Sequence, residues 1–509
     1  MALIVYVFTM PRTLSWGHSF LGRHIGYDGG DFVSAAWVSG VPHPTGYPTY
    51  TALAWLFTRL PWGSVAWRVN LFSGVAGAAT VTLVFLIGRR LAKEQDENSN
   101  TPGAAIGATL LAFSLLFWAH AIIAEVYALH LFFIALMLWL MLRWRDGVGP
   151  LWAAALALGV GMGNHITLTF LGPFILLLLW DGRRRLTGRA IILSALALAA
   201  GLAVYLYLPW RASQNPLINW GGADTWEGFK WMVTGQGYRR FFFALPRDQL
   251  LPRLEDWWNL SRVQFPWLAW PLAVLGLWEL VRRGRWLALG MLTHVAINLV
   301  YSVGYNTTDA FVYILPVYLY AALWMGQGAA WLLAVTNRLA QPGRAQRRRR
   351  QPESDQRLVV GAAAALLLLL PAYSLATNWN TMDLSDTRGA QAYAHEALEA
   401  VEPGALILVG SDVYTFTLWY YHYVEGLRPD VLVINYPMMA FDWYRRTVAI
   451  HHPDMRGPGP NATRATKLDL VLRNLDQRPV YIAENEEGDH VLPGLEVTPV
   501  GNLWRVTAP

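Results

Sequence analysis

Residues 68–93, "RVNLFSGVAGAATVTLVFLIGRRLAK", decide what kind of molecule this chain is. From Val69 to Gly88 no side chain is charged. As a helix, such a run of about twenty residues crosses the roughly 30 Å of a bilayer's hydrocarbon. Arg89, Arg90 and Lys93 close it, and a charged full stop after an apolar run is the mark of a membrane span meeting water.

The same pattern recurs along the chain, near residues 103–119, 124–142, 150–164, 166–180, 190–209, 266–281, 286–304, 310–335 and 358–377. With 54% hydrophobic and only 15% charged residues, the 509-residue chain has too little polar surface to cover a soluble globule. The 26 tryptophans and 22 tyrosines suit the two membrane interfaces, where amphipathic rings collect. The shorter run "ALIVYVF" is stopped by Pro11 and as a helix reaches only about 15 Å, which suggests that the true start lies upstream. With it the count is about eleven spans.

Basic residues fall in alternate loops: Arg89, Arg90 and Lys93; Arg143 and Arg145; Arg183 to Arg185; Arg282, Arg283 and Arg285; Arg347 to Arg350. The connections between them, "WAHAIIAE", "GNH" and "GYNTTD", hold no Lys or Arg. The positive-inside rule then puts the basic loops in the cytoplasm, and loops 11–67 and 210–265 and all that follows residue 378 outside it. The net charge of +6 is therefore placed by topology and is no sign of nucleic-acid binding. The connector "QPGRAQRRRRQPESDQR" reads as topology control rather than a lipid site. The absence of cysteine excludes disulfides and thiolate chemistry.

The chain changes character after residue 377. "ALILVGSD", "DVLVIN" and "RPVYIAEN" read as short strands around the helical "YTFTLWYYHYVEGL", with "LEVTPVGNLWRV" closing the chain. The expected organisation is a helical membrane domain over 1–377 and an extracytoplasmic α/β domain over 378–509. "GSD" at 410–412 is neither a P-loop nor a dinucleotide fingerprint.

Polar residues concentrate in "YDGGDFVSAAWVSGVPHPTGYPTY", residues 27–50. Asp28 and Asp31, three apart at a helix start, point to roughly the same side. They either cap that helix or do chemistry. His43 and Tyr47 line a site or merely belong to a proline-rich turn. Glu125 and His165 stand at span ends, where ionisable groups are functional or cap and stabilise a helix. Arg211 stands at the outer end of a span, its guanidinium suited to phosphate, and Asn219 and Trp220 hold a sugar or shape a turn. The two aspartates could also bind a divalent cation through oxygen.

Taken in order, "DGGDF…VPHPTGYPTY", "RVNLFSG", "AEVYALH", "GNHITLTFLGP", "YLPWRASQNPLINWG" and "GLRPDV" resemble a family of GT-C type membrane glycosyltransferases, long catalogued as a domain of unknown function and related to protein O-mannosyltransferases. That family usually has Asp-Ser-Gly-Glu-Phe where this chain has Asp28-Gly29-Gly30-Asp31-Phe32. The resemblance implies a GT-C-like bundle and inverting transfer of a sugar, mannose foremost, from a polyprenyl-phosphate carrier to an acceptor hydroxyl on protein or glycan. It also implies reaction at the outer face of a membrane, with a bacterial plasma membrane expected. The base would be Asp28 or Asp31, with His43, Tyr47, Glu125, His165, Arg211, Asn219 and Trp220 around the substrates. The alternative is a transporter or flippase of lipid-linked glycan, which usually shows paired repeats that are not detected here.

Overall fold

A computed structural model describes residues 1–20, 22–92, 97–340, 352–458, 466–483, 488 and 490–509. Lys93 and the Arg347–Arg350 part of the basic connector lie outside the described residues.

Six helices among the described residues are long and apolar enough to cross a membrane: Val65–Leu91, Tyr127–Arg145, Gly188–Ala212, Arg285–Gly304, Ala310–Leu339 and Leu358–Met382. The pair Ser99–Ala112 and Leu115–Ala121, bent by 69°, makes a seventh if it is one broken span. The chain is an integral membrane protein. Eleven full-length spans are not reached among these residues, because several apolar runs become short helices. The runs 150–164 and 166–180 meet, as expected, at His165, whose backbone turns extended (φ −155°, ψ 127°), but they form only the short helices Leu151–Met162 and Ile166–Asp181. The first run is the eight-residue helix Ala2–Thr9, tied into the bundle where Tyr6 Oη donates to the Ala112 carbonyl at 2.9 Å.

Helix Val65–Leu91 shows how local chemistry sets these limits. Ser64 caps it by accepting from the Trp67 amide at 3.1 Å, and Arg89 and Arg90 stand in the last turn, at the negative end of its dipole. Arg90 pairs with Asp146 at 2.7 Å, and Arg145 approaches Asp181 at 4.0 Å. Three basic loops therefore meet at one end of the bundle. Arg282, Arg283 and Arg338 likewise share one cleft. The opposite end gathers the acidic first loop, loop 210–265 and the C-terminal domain: His451 Nε2 lies 2.9 Å from the Asn215 carbonyl, and the Asn306 amide donates to the Phe241 carbonyl at 2.9 Å.

Near the N-terminus, β1 (His18–Phe20) and β2 (Arg23–Ile25) form an antiparallel hairpin. The C-terminal domain is built on β3 (Leu406–Val409), β4 (Leu432–Asn435), β5 (Val480–Ala483), β6 (Glu496–Val500) and β7 (Leu503–Thr507), in the order β4-β3-β5-β7-β6. β3 runs parallel to both β4 and β5, and these three strands are buried throughout, as continuous apolar runs require when helices cover both faces. The closing run splits into the antiparallel hairpin β6–β7.

Between β3 and β4, helix Asp412–Trp419 lies against helix Gly29–Val38. The approach is so close that a Cβ on Gly30 would run into the Phe416 carbonyl. Trp16 Nε1 donates to Thr417 Oγ1 at 2.9 Å, and the Thr13 and Tyr421 hydroxyls bond at 2.9 Å. Gly30→Ala should therefore force the two helices apart, at about 1–3 kcal/mol for an overpacked contact. Limited proteolysis should cleave its C-terminal domain faster than the parent's; equal cleavage rates would mean that the contact yields without strain.

Candidate active site

The polar first loop folds into a buried ion-pair cluster. Asp28 stands at the N-terminus of helix Gly29–Val38 but makes no capping hydrogen bond with its side chain. Asp31, in the first turn and fully buried, turns its carboxylate to side chains and loops instead. Its Oδ2 accepts from the His43 amide at 2.9 Å and faces His43 Nδ1 at 2.8 Å. Its Oδ1 accepts from Trp220 Nε1 at 3.2 Å. The capping explanation for the pair therefore has no hydrogen bond behind it.

The geometry follows from the turn that ends the helix. Ser39 adopts a left-handed conformation (φ 51°), and Gly40 lets the chain pass so close to the Ile218 carbonyl that a Cβ would collide with it. Val41 then donates to Ile218 O at 2.8 Å and accepts from the Trp220 amide at 3.0 Å, which brings Trp220 to Asp31. Tyr47 and Trp220 box the His43 ring edge-on at 5.2 and 6.1 Å between centroids.

The two aspartates thus occupy different environments. Asp31 is sealed, whereas 45% of the Asp28 side chain is open to a cavity, with Oδ2 3.9 Å from His43 Nε2. Desolvation by the surrounding protein pushes the Asp28 carboxyl up to about 6, against the lowering pull of His43. Burial alone would lower His43, yet Asp28 and the bonded Asp31 raise it to about 9. At neutral pH the imidazole is a cation held between two acids.

Asp28 is shared by two adjoining cavities. The larger, of about 770 Å³, is lined also by Glu125, Tyr127, Arg23, Arg253, Asp309 and Asp412. The smaller, of about 230 Å³, is walled by His43, Tyr47, His165 and the tyrosines 127, 238, 301, 305 and 313. His165 Nδ1 accepts from the Thr167 amide at 3.3 Å and contacts Thr167 Oγ1 at 2.7 Å, so it caps the following turn while facing this cavity. Of the residues expected from the sequence, Asp28, His43, Tyr47, Glu125 and His165 converge here, and Asp31 and Trp220 stand directly behind them.

Arg211 and Asn219 are placed differently. Arg211 donates to the carbonyls of Ser39 (2.5 Å) and Val38 (3.3 Å) and to Gln214 (2.6 Å), clamping the turn below the site. Asn219 donates to the Ala212 carbonyl at 3.4 Å within the same support. The cations that do line the larger cavity are Arg23 of β2 and Arg253 of helix Leu250–Gln264. Both guanidinium groups sit against the Trp257 ring, at 4.8 and 4.9 Å. Arg23 pairs with Asp256 at 2.6 Å. Burial and the neighbouring Arg23 lower the Arg253 pKa below its ordinary value, against the opposing pull of Asp256 and Asp309.

These arginines, with Asp309 and Asp412, were not singled out in the sequence. Asp309 closes "GYNTTD", informative there only for topology, and Asp412 belongs to "GSD", tested only against nucleotide motifs. Among the described residues no three His, Asp or Glu side chains are grouped to hold a metal ion.

Comparison with known proteins bears on this geometry. Residues 28–187 match the model of the "Protein O-mannosyl-transferase TMEM260 N-terminal domain", and residues 390–452 match "TMEM260-associated domain 2". The chain is 28% identical over 485 residues to the Protein O-mannosyl-transferase TMEM260 of Mus musculus, covering 89% of this chain and 64% of that protein. It is 23% identical to the tmem260 protein of Dictyostelium discoideum, covering 94% of this chain and 62% of that one. The chain thus spans somewhat less than two thirds of the length of these relatives. Both are eukaryotic, and the expectation of a bacterial membrane gains no support from them. In fold, the chain is similar to ArnT from Cupriavidus metallidurans, bound to undecaprenyl phosphate (TM-score 0.62, 13% identity, 99% of this chain and 96% of that one) and in the apo state (TM-score 0.56, 12% identity, with the same coverage). The chain has a GT-C membrane fold and, over residues 28–187 and 390–452, matches the two domains of the TMEM260 protein O-mannosyl-transferases, the resemblance already legible in its sequence.

Proposed function

We propose that this chain is a membrane glycosyltransferase that moves a sugar, mannose foremost, from a polyprenyl-phosphate carrier to a hydroxyl of a protein acceptor at the extracytoplasmic face. The carrying observation is Asp28: a carboxylate beside the His43 imidazolium and open to a cavity that has an arginine pair in one wall and the C-terminal domain in another. The TMEM260 relatives support the reaction class and the ArnT complex with undecaprenyl phosphate supports the carrier. The flippase alternative is not favoured by either.

In this reading the acceptor O–H gives its proton to Asp28 as its oxygen bonds to the anomeric carbon. The bond from that carbon to the carrier phosphate breaks, and the phosphate leaves with the electron pair. Arg253 and Arg23 take up the leaving anion's charge, worth more in a desolvated site than in water. The tyrosine-walled cavity holds the sugar ring, with His165 and Tyr47 beside it. Asp31 and Trp220 act through His43: they fix the imidazolium that keeps Asp28 ionised near neutrality. Arg211 and Asn219 support the turn that delivers Trp220.

The sign of the pH dependence follows. Asp28 must be ionised, so the rate should rise with pH through about 6. Above that the rate should stay level, since Asp28 remains ionised whether or not His43 keeps its proton near 9. The experiment is the purified full chain in lipid vesicles with radiolabelled polyprenyl-phosphate mannose and Ser/Thr peptides. Label should enter peptide along that rising profile. Movement of the labelled lipid between leaflets without transfer to peptide would overturn the reading in favour of a flippase.

A further inference from the structure

The C-terminal domain does more than cover the cavity. Gly410, Ser411, Asp412 and Val413, at the junction of β3 and helix Asp412–Trp419, form part of its lining opposite the membrane domain. Asp412 is the first residue of that helix, whose N-cap, Ser411, makes no capping hydrogen bond with its side chain. Asp412 is exposed, and its open side belongs to the cavity. Desolvation by the surrounding cavity walls raises its pKa above the ordinary value, although the side chain itself is open; among charged neighbours, His43 acts against that rise and Asp31 adds to it. Asp412 thus feels the same imidazolium and carboxylate that support Asp28, although it comes from a different domain and some 380 residues later.

The position is rigidly set. Phe416, one turn on, abuts Gly30, and its ring meets Trp220 edge-on at 6.2 Å between centroids. Trp220 in turn meets Trp443 of helix Asp442–His451 at 5.5 Å. The helix carrying Asp412 is therefore braced against the helix that carries Asp28 and Asp31, so the carboxylate is held at the site.

Charge is divided across the cavity. Arg23 and Arg253, with Asp256 paired to Arg23, occupy the side formed by β2 and helix Leu250–Gln264, which the proposed function gives to the donor phosphate. The remaining lining carries Asp28, Glu125, Asp309 and Asp412. An acceptor must reach Asp28 while the donor fills the arginine side, so its residues flanking the hydroxyl pass Asp412.

We infer that Asp412 is a specificity-determining residue of the transfer site, by which the C-terminal domain selects acceptor segments with a basic or neutral side chain beside the hydroxyl and rejects acidic ones. The inference rests on the proposed transferase reading and deepens it. A carboxylate meeting a like charge in a partly desolvated cavity discriminates strongly, and it costs an acceptor with a basic neighbour nothing.

The test uses the full-length protein in lipid vesicles, polyprenyl-phosphate mannose as donor, and three peptides that carry one Thr flanked by Lys, Gln or Glu. The readout is the ratio of kcat/KM for the Lys peptide to that for the Glu peptide, which does not depend on how much of a preparation is folded. The parent should favour Lys on the order of tenfold. Asp412→Asn, which keeps size and hydrogen bonding, should bring the ratio near one, and Asp412→Lys should invert it. An unchanged ratio in both variants, with the parent active, would overturn the inference while leaving the transferase reading intact. Failure of the parent to transfer to any of the three peptides would defeat the reading and the inference together.

Discussion

Asp28→Asn should transfer sugar about 10²- to 10⁴-fold more slowly than the parent while binding the lipid-linked donor almost as tightly. The expected split arises because a base is needed only as the acceptor hydroxyl gives up its proton, whereas the proposed function has the donor phosphate held by Arg23 and Arg253, which line the same cavity. Asn is as good a helix N-cap as Asp, so a capping role would leave this variant nearly silent. Asp28 in any case makes no capping bond with its side chain. The measurements are single-turnover transfer from pre-bound radiolabelled donor and, separately, donor binding. A parental transfer rate in Asp28→Asn would remove the base from the mechanism.

Asp31→Ala should behave differently, because Asp31 never touches the cavity. It removes the acceptor for two His43 groups and the Trp220 indole, leaving buried donors and a buried imidazolium without their partner. Breaking a buried charged pair from one side costs about 3–5 kcal/mol. Thermal unfolding should show that loss. The milder Asp31→Asn keeps the shape but loses the charge, and Asp31 is one of the groups that raise His43. The His43 imidazole, followed by NMR, should then titrate below about 9, toward the ordinary imidazole range, and an unchanged titration would show that Asp31 does not support the cation.

The fold was legible wherever one physical constraint acts alone. Apolar length and the placement of Arg89, Arg143 and Arg183 gave the spans and the shared end of their basic loops, since charge cannot sit in hydrocarbon. β3, β4 and β5 were legible as apolar runs bounded by turn residues. Span count was less so, because hydropathy shows an apolar run but not how much of it stays helical: the two runs that meet at His165 form only short helices. In the site, the "YDGGDF" and "HPTGYP" residues were found because polar groups beside a membrane domain are conspicuous. What separated Asp28 from Asp31 was burial, which adjacent residues in one helical turn do not reveal in sequence. Arg211 was conspicuous by position yet serves the Ser39 turn. Arg23, Arg253 and Asp412 were hidden because they reach the cavity from a hairpin, a surface helix and another domain, a convergence set only by tertiary packing.

The central claim is a single displacement, with Asp28 taking the acceptor proton as the phosphate departs. A one-step attack on the face opposite the leaving phosphate inverts the anomeric carbon, whereas a covalent sugar–protein intermediate would retain its configuration. The deciding measurement is the anomeric configuration of the mannosyl peptide made from donor of known configuration, read by NMR. The account predicts an α-linked product from a β-linked donor; a β-linked product would contradict it.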